Sequence, residues 1–233
     1  MADLLPVYVV LGASGAIGSE VCRRLYGGGA RLMMGARHVE KLDTLQEDLP
    51  DSLYFGFDAQ YMHEVERCVE QAINMWGRVD GVAHCVGHWD LKPARETTDD
   101  EWNRIILLNL SSAFAVVRAA ARFMIDGGSV VLLGSALAEA SVPRADAFAA
   151  AMGGVAGLAV AAAATYAPSR IRINAVAPGR VRSPSGDASN IDLPNLPAHD
   201  PGQVAQVIAW LLRLDNPLTG RVLGIDEGLA QAK

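Results

Sequence analysis

Short apolar runs alternate along the chain with longer stretches of helical periodicity, and this alternation restricts the fold more than any other feature. The runs lie at 7–11, 31–35, 53–57, 79–85, 129–133, 171–177 and 221–225. Most of them do not alternate apolar with polar residues, so burial on both faces is expected. Helical patterns fill the gaps, up to about residue 26 after the first run, then at 38–49, 60–76, 145–166 and 203–214. A further long helix is expected to open at Thr98, which has Glu101 at capping-box spacing, and to run towards Met124. Strands buried on both sides and joined by helices predict an α/β fold, a doubly wound, three-layer parallel sheet of about seven strands. Segment 180–201 is rich in Pro, Ser, Asn and Asp and reads as a long surface loop. No repeat or linker interrupts residues 1–233, which read as a single domain.

Composition removes several function classes. Of the 233 residues 51% are hydrophobic and 20% charged, which is too apolar for disorder and sufficient for a full core. A net charge of −6 argues against a nucleic-acid partner. Cys22, Cys68 and Cys85 form no CxxC pair, so neither a metal site nor a disulfide framework is expected, and a reducing, cytoplasmic setting is favoured. The N-terminal residues lack a basic stretch and run straight into a glycine turn, unlike a signal peptide. Residues 147–167 carry no charge, yet they are mostly Ala and Gly, which gain little from lipid; a buried helix is expected there, with no membrane partner. Only three residues are lysines (Lys41, Lys92, Lys233) against 20 basic residues in all, a bias that heavy alanine use suggests is compositional.

In a doubly wound sheet, ligands bind beyond the carboxyl ends of the strands. After the first run stands Gly12-Ala13-Ser14-Gly15-Ala16-Ile17-Gly18. Glycines there permit a tight turn and let backbone N–H groups approach a pyrophosphate at a helix N-terminus, a Rossmann-type dinucleotide site. After the second run, Arg37 stands where an NAD site would place an acid; an arginine accommodates a 2′-phosphate, so NADP is favoured over NAD. The alternative is a solvated arginine opening a helix. Asp58, followed by Ala59, follows the third run and suits either an adenine contact or a helix N-cap.

In order and spacing these motifs resemble the short-chain dehydrogenase/reductase family over nearly the whole chain. The glycine turn, DGVAHCVG, Asn109 in LLNLSSAF, GSVVLLGS and RIRINAVAPGRVRSP carry the likeness. The resemblance implies that Cys85, Val86 and Gly87 border the cofactor, although the family's Asn-Asn-Ala-Gly turn is here His84-Cys85-Val86-Gly87. It also implies that Pro178, Gly179, Val181 and Ser183 hold the nicotinamide carboxamide. The glycine motif departs from the family's, with Leu11 for threonine and Ala16 for the middle glycine.

The catalytic pattern departs further. The family uses a serine, a tyrosine thirteen residues on and a lysine four beyond that. Ser135 fits the first, but Phe148 and Met152 occupy the other two positions, and no lysine lies between Lys92 and Lys233. Phenylalanine has no transferable proton and methionine no charge, so the usual proton donor is missing. His88 is a candidate replacement, since a histidine titrates near neutrality; a solvated loop histidine is the alternative. His84 and Asp146 are weaker candidates, Asp146 reading more simply as a helix N-cap, and Cys85 reads as a small buried filler. Asn109 is expected to hold a water or a backbone kink. Three functions fit: an NADP-dependent reductase of a carbonyl or conjugated alkene with a non-standard acid, a degenerate NADP-binding sensor or partner subunit, and a non-redox lyase or isomerase in the same pocket. The small residues Gly153, Gly154, Gly157, Ala161 and Ala164 on one helix favour a homodimer or homotetramer.

Overall fold

A computed structural model describes residues 5–138, 142–182 and 198–226. Strands β1 (Val7–Leu11), β2 (Arg31–Ala36), β3 (Leu53–Gly56), β4 (Gly81–His84), β5 (Gly128–Leu133), β6 (Ile171–Pro178) and β9 (Val222–Ile225) form one seven-stranded sheet in the order β3-β2-β1-β4-β5-β6-β9. Every pairing is parallel. The expected fold is therefore the observed one.

The unbroken apolar character of β1 follows from burial on two sides. In β1 the side chains of Val7, Val9 and Leu11 join one core with Val65 and Val69 of α3 (Met62–Trp76), Val116 of α5 (Ser112–Phe123) and Val155 and Ala159 of α6 (Asp146–Tyr166). Tyr8 and Val10 point the other way, into a core with Val21 of α1 (Ala16–Gly27), Leu42 of α2 (Val39–Asp48) and Ile208 of α7 (Pro201–Leu212). A period of two divides one strand between two helical layers. The stretches Asp99–Phe123 and Asp146–Ser169 are long and apolar enough to cross a bilayer by length and composition. Both seat apolar side chains against the sheet, Ala113 and Val116 from one and Val155 and Ala159 from the other.

Three expectations change. The long helix from Thr98 does open with a capping box, Thr98 accepting from the Glu101 N–H while Glu101 reaches back to the Thr98 N–H. It is not continuous, however: α4 (Asp99–Ile106) passes through a π-turn at Leu107–Ser111 before α5 begins. Segment 180–201 is not all loop, because β7 (Arg180–Val181) pairs in parallel with β8 (Ala198–His199). Helix α7 also starts earlier than its hydrophobic pattern, at Pro201, with Asp200 accepting from the Gly202 N–H at 2.8 Å and Gln203 reaching back to the Asp200 N–H at 3.1 Å.

The strand order reverses between β1 and β4, and there the helices leave the sheet in opposite directions. A crevice at the carboxyl ends of these two strands is the geometric result.

Candidate functional site

Gly12 and Gly18 make the turn after β1 possible, for different reasons. Gly12 has φ +80°, and a Cβ on it would lie 2.6 Å from the Cys85 carbonyl carbon. A Cβ on Gly18 would lie 2.2 Å from the Gly12 carbonyl oxygen, so Gly18 serves helix-to-turn packing behind the turn. Gly15, at the cap of α1, receives no side-chain cap, and the first turn of α1 holds no acidic residue. The N-terminal N–H groups of α1 thus open without competition onto a cleft bordered by Gly15, Ala16 and Ile17.

That cleft, of about 400 Å³, lies across the end of the sheet. Cys85, Val86, Gly87, His88, Trp89, Asn109, Ser135, Phe148, Met152, Gly179 and Val181 line it. A neighbouring cleft of about 220 Å³ on the β2 side brings Gly12, Ser14, Arg37, His38, Asp58, Ala59 and Arg104 together. Most residues expected at a site therefore converge on one continuous surface, with Cys85, Val86, Gly87 and His88 shared by the two halves. Pro178 does not line the cleft; its carbonyl accepts a 3.4 Å bond from Ser135 Oγ. Ser183 lies outside the described residues.

The expected catalytic positions form an apolar wall. Phe148 and Met152 sit one turn apart on α6 and are 6% and 5% exposed. With Leu137 they make a small hydrophobic cluster, on which Trp89, Ala138 and Val142 pack. The Trp89 and Phe148 rings meet at 6.5 Å, tilted by 54°. Ser135 keeps its hydroxyl near this wall and accepts from the Leu137 N–H at 3.3 Å.

Asn109, fully buried in the π-turn, holds His88 by its backbone. Its Oδ1 accepts from the His88 N–H at 3.0 Å, and its Nδ2 donates to the His88 carbonyl at 2.7 Å and to the Ile105 carbonyl at 2.8 Å. From the π-turn the amide thus grips the turn after β4. The His88 ring faces the cleft half-buried. Burial, then the nearby Arg104, pull its pKa below the usual histidine value; Asp90 opposes them, and Arg37 adds a smaller lowering effect.

Three other readings are corrected. His84 is not at the mouth: it is 1% exposed, with Nε2 at 2.8 Å from Ser112 Oγ. Because the Ser112 hydroxyl donates to the Leu108 carbonyl at 2.7 Å, the Nε2–H must donate to Ser112, leaving Nδ1 unprotonated. Asp58 does not cap a helix; its Oδ1 accepts from the Gln60 N–H at 3.0 Å, while Tyr61 occupies the cap position of α3. Asp146 is the first residue of α6 rather than its cap, and it accepts from the Ala94 N–H at 2.7 Å. Cys85 borders both clefts part-buried, and desolvation pushes its thiol up to about 12, away from a reactive thiolate.

Burial lowers the His84 pKa to about 4. The unfolded chain takes up that proton near pH 6.5, so its charged form is favoured only on unfolding. Stability should therefore fall as pH drops below about 6.5 and level off below about 4, by about 3 kcal/mol from this group alone. Urea midpoints between pH 7 and pH 4 check this; a His84→Asn variant with the same pH slope as the parent would refute it.

A family model described as short chain dehydrogenase matches residues 6–193. The chain belongs to that family. Among its relatives, the (5R,7aS)-5-hydroxy-7a-methyl-1-oxo-2,3,5,6,7,7a-hexahydro-1H-indene-carboxyl-CoA reductase of Mycobacterium tuberculosis is 31% identical, covering 94% of this chain and 91% of its own. A 3-oxoacyl-acyl-carrier-protein reductase of Thermotoga maritima is 29% identical over 96% of this chain and 97% of its own. Among solved structures, a short-chain dehydrogenase/reductase of Mycobacterium ulcerans superposes with a TM-score of 0.91 at 26% identity, covering 97% of this chain and 90% of that one. An actinorhodin polyketide ketoreductase variant with NADPH superposes at 0.87 and 25% identity, covering 97% of both chains.

Within this family fold, sequence reasoning passed over Arg104, His38, Arg180 and Arg182, all on the cleft walls. Arg104 was findable: Arg104 and Leu108 stand one helical turn apart and line the same half-cleft. Arg180 and Arg182 sat in a segment read as loop.

Proposed function

We propose that this short-chain dehydrogenase/reductase is an NADP-dependent reductase of a conjugated alkene or carbonyl. In this reading the acceptor oxygen is held by a hydrogen bond rather than protonated by a tyrosine. The observation that carries the reading is the apolar wall of Leu137, Phe148 and Met152 beside an uncapped α1 N-terminus and its glycine turn.

The cofactor fits the cleft residues. The α1 N-terminus suits a diphosphate. Arg37, with His38 beside it at 3.3 Å and Arg104 on the same half-cleft, suits a 2′-phosphate. Asp58 and Ala59 suit the adenine, and Gly179 and Val181 the carboxamide. When bound, the nicotinamide supplies the hydride that reduces the acceptor.

The protein's own groups then determine which acceptor is favoured. Reducing a simple carbonyl leaves an alkoxide, a strong base that needs a proton at once. Reducing an alkene conjugated with a carbonyl leaves an enolate, a much weaker base that a hydrogen bond can hold. Ser135 Oγ has one such bond to give, now spent on a long contact with the Pro178 carbonyl. His88, with its lowered pKa, is neutral at neutral pH and can offer a ring N–H but little imidazolium. Water at the mouth then protonates carbon. The buried apolar wall also favours a second reading, an NADP-binding partner subunit without turnover.

Titrating NADPH and NADH against tryptophan fluorescence tests the cofactor. NADPH should bind saturably, and Arg37→Glu should weaken it about 10–100-fold while NADH changes little. No saturable binding of either would remove both readings. NADPH oxidation with enone and ketone panels separates them, because the partner reading expects none.

We also propose that the whole chain acts as one domain and assembles as a homodimer or homotetramer through α6. Gly153 and Gly157 face outward, and a Cβ added to either meets nothing within 4 Å. Val160 on the same helix is 51% exposed. Gly154 is not part of that face, since its added Cβ would meet Leu110 at 2.8 Å. A monomeric mass by sedimentation would overturn the assembly.

A further inference from the structure

On the acceptor side of the main cleft, Trp89, Leu137, Phe148, Met152 and Val181 are apolar. The charged side chains among the described lining residues, Arg180 and Arg182, are both cationic. This contrasts with a chain whose net charge is −6.

The two arginines differ. Arg182 is exposed and committed to Asp200 at 3.0 Å. Arg180 is part-buried and makes no hydrogen bond or ion pair with any described residue. Its backbone is held on both sides: Arg180 pairs with Ala198 across the β7–β8 ladder, and the preceding Gly179 donates its N–H to the Ile225 carbonyl at 2.8 Å. Arg180 thus borders the cleft from a fixed ledge, on the same lining as the apolar wall. A partly desolvated cation with no counter-ion among the described residues gains most from a ligand that brings one. A carboxylate matches the guanidinium fork with two parallel hydrogen bonds, and the apolar surroundings strengthen them.

We propose that Arg180 binds a carboxylate on the acceptor, so that the substrate class is an unsaturated or oxo acid with an apolar body. The proposal rests on the reductase reading for the word acceptor, but not for the binding itself. The cofactor reading would place a second anion, a diphosphate, in the same cleft beside Gly15, Ala16 and Ile17. The test separates the two.

Calorimetry with the full chain saturated with NADP⁺, which permits no reduction, compares trans-cinnamate with its methyl ester. The acid should bind at least about 10-fold more tightly than the ester, the range of a charge-assisted bidentate pair. Arg180→Gln should erase that preference and leave NADP⁺ affinity within about twofold, whereas Arg180→Lys should keep part of it. Equal affinities of acid and ester, or no saturable binding of the acid, overturn the proposal. So does an Arg180→Gln variant that keeps the preference, or one that instead loses about 10-fold in NADP⁺ affinity, which assigns the guanidinium to the diphosphate. An acid preference that depends on Arg180 in a protein that oxidises no NADPH with any acceptor upholds the Arg180 site and removes only the reductase reading.

Discussion

The Phe148→Tyr and Met152→Lys double variant should reduce simple ketones with NADPH about 10²–10⁴-fold faster than the parent, the gain expected from one well-positioned acid. Both residues already line the cleft, so the new hydroxyl and ammonium would enter the space that the proposed reductase reading gives to the acceptor oxygen. Neither single substitution should suffice. A tyrosine among Leu137, Trp89 and Met152 has no cation to stabilise its phenolate, and burial alone raises its pKa. A lysine beside Phe148 has a charge but no proton relay to the acceptor oxygen, and burial lowers its own pKa. The double variant should also gain a basic limb in its pH–rate profile that the parent lacks. A folded, NADPH-binding double variant that stays inactive towards every ketone would mean that the acceptor half of the cleft, and not just the acid, has diverged.

The second large effect lies at Gly12. Gly12→Ala should lose about 2–5 kcal/mol of stability and saturable NADPH binding together. Alanine at φ +80° is strained, and its Cβ would collide with the Cys85 carbonyl at 2.6 Å and the Val86 nitrogen at 2.9 Å. Those two residues belong to the β4 turn that borders both halves of the cleft, so relief of the clash moves the cleft wall itself. Gly15→Ala is the informative control. Gly15 has φ −83°, and its added Cβ meets only the Gly12 carbonyl oxygen, at 3.3 Å. It should fold near the parent midpoint, so any loss of NADPH affinity there reports backbone approach to the ligand. Thermal unfolding with parallel NADPH titration reads both variants, and an unchanged midpoint for Gly12→Ala would contradict the packing account.

The sheet was legible because its signal is local. Val7–Leu11 has no polar residue to point outward, which by itself requires two covering layers. Thr98 and Glu101 likewise act within one turn. What was missed depends on contacts distant in the chain. Asp146 accepts from Ala94, fifty-two positions away, and nothing in its neighbours distinguishes that from a cap. His84 looked like a site residue because it flanks the turn after the fourth run, yet strand alternation turns it inward to Ser112. Asp200 was obscured by composition: a segment full of Pro, Ser and Asn reads as loop although Asp-Pro-Gly-Gln is a complete helix start. That Phe148 and Met152 stand where the resemblance places a tyrosine and a lysine was readable from two letters, whereas the wall they form required Leu137 and Trp89 to be brought across from other elements.

The π-turn at Leu107–Ser111 has a geometric effect beyond gripping His88. One additional residue in a helical turn advances every later side chain by about 100° around the axis. Upstream of it, Ile105 points at Ala147 and Ala151 of α6; downstream, Ala113, Ala115 and Val116 join the core shared with α3. A helix in uninterrupted register would present a single stripe and satisfy one of these neighbours at the expense of the other. The wide turn is a phase slip that lets one rod of two segments seat against two different partners. Deleting any single residue from it would misalign one half of the rod, whichever residue was removed.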